Sequence, residues 1–167
     1  ERSRGLGDVY KRQAMIEYID IQVGEIVQQL KDNGIYENTI IMLTSDNGPT
    51  YAGGVDFKYF NSTGVFLNDP KRMKGYTYEG GVRVPFIVSW PNKIKSKRVI
   101  DDISISYDIF PTITELSGVN DSNTYPTDGI SLYNIFTDKN SSLERDYIYW
   151  EFPSYGGCLL YTSPSPR

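Results

Sequence analysis

The chain has 167 residues, 39% hydrophobic, 23% charged and 14% aromatic, with a net charge of −4, so it can build one modest core and is not disordered. The acidic balance leaves no basic field for nucleic acid or an anionic membrane, and no apolar run is long enough to span a bilayer. One cysteine and no histidine exclude an intrachain disulfide, a thiolate or imidazole metal site, and any Ser-His-Asp or Cys-His triad made by this chain alone.

The two ends do not read like protein. Residues 1–13 have no apolar period, and residues 3–13 fit a translated strand of a transposon sequencing adapter. Residues 158–167 fit the reverse complement of that adapter. Both are expected to be adapter-derived tails and are set aside in reading the fold, so Cys158 carries no functional weight. The rest is expected to be an interior slice of a longer protein.

Met15, Ile16, Ile19, Val23, Ile26, Val27 and Leu30 recur at helical spacing, which predicts a helix over about residues 14–32 with Gly34 as its stop. Residues 39–43 are a short β-branched apolar run, suited to a central parallel strand buried on both faces. The run ends in Thr44-Ser45-Asp46-Asn47-Gly48-Pro49. Helix, short link, buried strand and polar turn make an α/β signature, and ligands sit beyond the carboxyl ends of such strands. Residues 50–72 are long, polar and Gly/Asn-rich, as expected of a binding loop or a disordered one. Residues 82–90 read as a second buried strand with Pro85 near its start, and residues 92–98 as a basic surface loop. A helix is predicted over residues 108–116, stopped by Gly118. Residues 120–128 are turn-rich, and residues 147–152 read as an aromatic strand.

Asp46 and Asn47 place a carboxylate and an amide oxygen side by side at a strand end. Such hard oxygen donors suit Ca²⁺ or Mg²⁺, although an Asx turn closing the strand is the simpler reading of the dipeptide alone. Lys74 is a compact point charge suited to a tetrahedral oxyanion, or a solvated surface lysine. Gly80-Gly81 lets backbone come close to another segment, or simply turns. Arg83 can hold Glu79 in fork geometry, a structural role. Lys93, Lys95, Lys97 and Arg98 read as solvated loop charge. Tyr147, Tyr149, Trp150 and Tyr155 could stack on a sugar, but a half-buried strand explains them as well.

Taken in order, Thr44-Ser45-Asp46-Asn47-Gly48-Pro49 and Lys74-Gly75-Tyr76-Thr77-Tyr78-Glu79-Gly80-Gly81-Val82-Arg83-Val84-Pro85-Phe86 resemble the type I sulfatases, arylsulfatase-like members of the alkaline phosphatase superfamily. Residues 107–118 (YDIFPTITELSG), 128–132 and 145–152 carry the resemblance onward. It implies part of an α/β alkaline phosphatase-like sandwich with a mostly parallel central sheet, incomplete in this chain. Residues 14–145 would be the C-terminal portion of the catalytic domain and residues 146–157 the start of a smaller subdomain. It implies hydrolysis of sulfate monoesters by a formylglycine, made from Cys or Ser in C/S-x-P-x-R, with a divalent cation that is usually calcium. Asp46 and Asn47 would be metal ligands, and Lys74 would be catalytic, touching the sulfate and its bridging oxygen. The substrate would be a sulfated small molecule or polysaccharide, and the location periplasmic or secreted.

The sequence also departs from the family pattern. C/S-x-P-x-R does not occur in it, and Thr50 stands where many relatives have histidine. The chain alone is therefore expected to be inactive. A phosphoester or phosphonate hydrolase of the same superfamily would share Asp46-Asn47. A non-catalytic relative that binds sulfated glycans is the other alternative.

Overall fold

The apolar residues at helical spacing fold as one long helix, α1 (Arg2–Asp32), in a computed structural model that describes residues 2–52, 56–66, 69–95, 97–119, 126–138, 140–151 and 161–164. The helix starts well before the expected residue 14, because no proline interrupts residues 2–13 and the ladder of backbone hydrogen bonds continues. Its end is where the sequence put it. Gly34 takes φ 69°, a left-handed conformation. Its N–H donates to the Lys31 carbonyl at 2.9 Å, and the Ile35 N–H to the Leu30 carbonyl at 3.0 Å. That pair of bonds is a Schellman cap. Met15, Ile16, Ile19 and Ile26 stay exposed, while Val23, Val27 and Leu30 are partly covered.

The chain divides into two compact units, residues 1–92 with 151–161 and residues 93–150 with 162–167. In the first unit, β1 (Ile41–Thr44) pairs with β2 (Phe86–Ser89). The register sets Ile41 opposite Ser89 and Thr44 opposite Phe86, and the pair is antiparallel. The run at residues 39–43 was expected to have parallel neighbours. Its partner among the described residues is antiparallel because the connection is no helical crossover: residues 45–85 leave and return at the same end of the pair. With one partner strand, Leu43 remains exposed.

The second strand is also shorter than expected. Residues 79–82 form a single helical turn, α2 (Glu79–Val82), closed by the Arg83 N–H on the Glu79 carbonyl at 2.8 Å. Strand geometry resumes only after Pro85, which has no N–H to give a ladder.

The second unit is built around a buried aspartate. Asp108, at 0% exposure, ends a short 3₁₀ turn (Ser106–Asp108) that leads into α3 (Ile109–Leu116). Its Oδ2 accepts from the Ile105 N–H at 2.9 Å, and its Oδ1 from the Ile130 N–H at 2.9 Å and from Arg145 Nη2 at 2.5 Å. One turn on, the Thr112 hydroxyl donates to the Asp108 carbonyl at 2.6 Å and accepts from the Leu132 N–H at 2.9 Å. A carboxylate and a hydroxyl on one helix face thus tie down residues 130–132 and Arg145. This network gives residues 107–118, 128–132 and Arg145 a common structural purpose. Burial raises the pKa of the adjacent Tyr107; the Arg145 guanidinium opposes that rise, and Asp108 and Asp128 add to it.

Leu132, Ile135 and Phe136 around α4 (Tyr133–Thr137), and Ile148 in β3 (Tyr147–Trp150), are the buried apolar side chains among the described residues of this unit. Tyr147 and Tyr149 alternate with Ile148 and are exposed, so β3 is a half-buried strand. The pairing of β4 (Tyr161–Pro164) with β3 makes a separate two-stranded sheet. Arg98, expected as solvated charge, instead donates to the Phe136 carbonyl at 3.0 Å and the Asp138 carbonyl at 2.9 Å. Its planar fork satisfies two carbonyls at the end of α4 that lack helical partners. Residues 120–125, Phe152, Tyr155 and Cys158 lie outside the described residues. No helix among the described residues is long and apolar enough to cross a membrane.

Two ion pairs set up a stability comparison. The Arg145–Asp108 side chains are 9% and 0% exposed, whereas those of Arg83–Glu79 are 70% and 46% exposed. Arg145→Ala strands a buried carboxylate and is expected to cost about 3–5 kcal/mol. Glu79→Ala is expected to cost under about 1 kcal/mol. Urea denaturation of the two variants checks the ranking.

Candidate active site

The carboxyl end of β1 carries Asp46 and Asn47, and the antiparallel register puts the entry to β2 beside it. The approach is closer than side chains would permit. The Gly48 N–H donates to the Gly81 carbonyl at 2.8 Å. A Cβ on Gly48 would lie 2.0 Å from the Gly80 carbonyl oxygen, and one on Gly81 2.3 Å from the Tyr76 oxygen and 2.6 Å from the Met73 oxygen. The Gly80-Gly81 pair is therefore a backbone contact surface for two segments, the Asp46 turn and the Lys74 loop. The loop closes the triangle: the Lys74 N–H donates to the Pro49 carbonyl at 2.9 Å. Met73, next to it, is fully buried. The two motifs read separately in the sequence are thus joined by two backbone hydrogen bonds.

The side chains at this junction are free to act. Asp46 and Lys74 are exposed, and among the described residues neither side chain has a hydrogen bond or ion pair. The Asn47 side-chain N–H donates to the Gly48 carbonyl at 2.8 Å, which commits the amide nitrogen locally and leaves its Oδ1 to face a ligand. Ser45 Oγ donates to the Asn47 carbonyl at 3.0 Å and tightens the same turn. Asp46 Oδ and Asn47 Oδ1 are unshared hard donors, which fit a calcium or magnesium ion. They are two oxygens, and calcium takes about six to eight. Among the described residues no group of three or more His, Cys, Asp or Glu side chains could hold a metal, so the pair is a partial donor set.

Arg83 takes the role expected of it, with Nη1 3.1 Å from Glu79 Oε2 across one helical turn. Its guanidinium also lies 5.7 Å from the Phe66 ring centre. Arg72, which the sequence reading did not single out, stacks 4.4 Å from the Tyr78 ring centre and braces the Lys74 loop. Arg followed six residues later by an aromatic was the available signal. Thr50 accepts from the Ala52 N–H at 3.0 Å, a local turn that uses its oxygen.

A family model described as Sulfatase matches residues 7–119. The chain belongs to the sulfatase family. It is 30% identical over 155 residues to a sulfatase of Formosa agariphila, covering 85% of this chain and 26% of that protein. It is 30% identical over 137 residues to human steryl-sulfatase, covering 80% of this chain and 23% of the relative. Among solved structures, the PsFucS1 sulfatase from Pseudoalteromonas sp. superposes with a TM-score of 0.63 at 35% identity, covering 83% of this chain and 26% of that one. BT4656, solved with its substrate D-glucosamine-2-N,6-O-disulfate, gives 0.63 at 25% identity, with 85% and 26% covered. The sulfatase chain thus spans about a quarter of the length of these relatives. The alkaline phosphatase-like α/β fold expected from the sequence is the fold of these neighbours, seen here with a partial sheet.

The glycine junction of this sulfatase chain makes a sharp prediction. Gly48→Ala cannot be absorbed by a rotamer change, because its Cβ would meet backbone. It is expected to lower stability by about 1–3 kcal/mol or more, read as a fall in melting temperature.

Proposed function

We propose that this chain is part of an enzyme that hydrolyses sulfate monoesters, cleaving the S–O bond to give an alcohol and sulfate. The observation that carries the reading is the backbone junction that sets Lys74 beside the Asp46-Asn47 turn. Family membership supports the reaction class. The sulfated-sugar substrate of BT4656 supports a sulfated carbohydrate as substrate.

Asp46 and Asn47 would hold the divalent cation, calcium or magnesium, through Oδ of the carboxylate and Oδ1 of the amide. A bound cation supplies Lewis-acid polarisation of sulfate oxygens. Lys74 brings one positive charge to the sulfate group. As the S–O bond lengthens, negative charge grows on the bridging oxygen, and the ammonium stabilises it there and can hydrogen-bond to it. The bond to Pro49 fixes the main chain from which the Lys74 ammonium reaches the site. The formylglycine nucleophile and the remaining cation ligands come from residues outside this chain, as does the machinery that fixes the substrate. Residues 1–13 and 158–167 are read as adapter-derived, and a periplasmic or secreted location follows the family.

The test uses the full-length enzyme carrying these residues, with an aryl sulfate and a sulfated monosaccharide as substrates. Lys74→Ala is expected to lower kcat about 100-fold or more with an unchanged melting temperature. Near-normal turnover would remove Lys74 from the chemistry. Asp46→Ala is expected to weaken calcium binding more than about 10-fold by calorimetry. Faster turnover of a phosphate monoester than of any sulfate ester would move the enzyme to the phosphoester branch.

A further inference from the structure

We propose that Gly48 and Gly81 are positioning residues that couple cation binding at Asp46 and Asn47 to the ordering of the Lys74 backbone. The inference rests on the metal reading given above and adds a mechanical link to it.

The link is made of main chain throughout. Gly48 directly follows the two oxygen donors and is bonded to Gly81 at 2.8 Å; Pro49 follows it and is bonded to Lys74 at 2.9 Å. On its other side the Lys74 loop rests on the glycine pair. The Arg72 carbonyl oxygen lies 2.5 Å from where a Gly80 Cβ would be, and the Tyr76 and Met73 oxygens 2.3 and 2.6 Å from a Gly81 Cβ. Residues 72–76 are therefore held between the glycine turn and the Asp46 turn, with little flexible side chain at either contact to absorb a shift.

Asp46 is exposed, and its side chain has no partner among the described residues. A cation that takes both Asp46 and Asn47 confines the turn to one geometry. Confining residues 46–49 then favours the one arrangement of residues 73–81 that keeps both backbone bonds. The link is reciprocal, as any equilibrium coupling must be. Lys74 is thereby ordered when the cation is present to share the charge of a sulfate ester.

The experiment is hydrogen exchange of the full-length enzyme with and without calcium, with calorimetry on the same samples. Calcium is expected to slow exchange of the Lys74 amide, and of residues 73–83 around it, about 5-fold or more. Lys74→Ala keeps the amide and should keep the slowing. Gly81→Ala pushes the loop away and should lose the slowing while both cation ligands remain. A heat of binding with slowing confined to residues 45–49 would overturn this coupling and leave the metal reading standing. Absence of any calcium heat would overturn the metal reading and the coupling together. Loss of the slowing in Lys74→Ala would route the effect through the ammonium and overturn the backbone link. Should Gly81→Ala fail to fold, the wild-type and Lys74→Ala comparison decides the matter.

Discussion

Two turns that meet face on can come this close only where no Cβ stands between them, and the arrangement of the Asp46 and Lys74 segments depends on that condition. Gly48 meets Gly80-Gly81 at a separation no Cβ would tolerate. From that contact follow the bond between Gly48 and Gly81, the seat for the Met73–Tyr76 carbonyls, and the placement of Lys74 against Pro49. None of the three glycines touches substrate in the proposed reaction. They set the spacing of the main chain that carries Asp46, Asn47 and Lys74.

The second unit uses the opposite device. There a charged side chain is fully buried, and its cost is offset by saturating it with donors. Asp108 receives two backbone N–H groups and a guanidinium, and Thr112 extends the network by one helical turn. A buried carboxylate so satisfied specifies which segments meet, because any other arrangement leaves it uncompensated. One unit is thus pinned by absent side chains, the other by a polar one.

Much of this was legible in the sequence. The stop at Gly34, the strand before Asp46, the helix at 109–116 and the Glu79–Arg83 pair follow from local rules of capping, periodicity and i,i+4 spacing. The meeting of the two motifs at the candidate site was legible differently. Asp46-Asn47, Lys74 and the glycine pair were each ambiguous alone, and only their order along the chain made them a set. What local pattern did not give was non-local. The antiparallel sense of β1 and β2 depends on where a long connection returns. Arg98 looked like solvated charge because its acceptors lie some 40 residues away. The exposed apolar stripe of α1 shows the same limit: spacing forms a helix but does not supply the surface that covers it.

The bond between the Pro49 carbonyl and the Lys74 N–H also makes residues 50–73 an excursion that leaves the site and comes back to it. The entropy of closing such a loop grows only logarithmically, so doubling its length costs about 0.6 kcal/mol. The return point, meanwhile, is fixed by main-chain atoms and by the glycines packed beside them. The loop is therefore an exchangeable cassette, hinged at Pro49 and Lys74. Its sequence can vary through residues 50–62 while the buried Thr63 and Met73 keep its closing half in place. Variation and anchoring are assigned to different stretches of one connection.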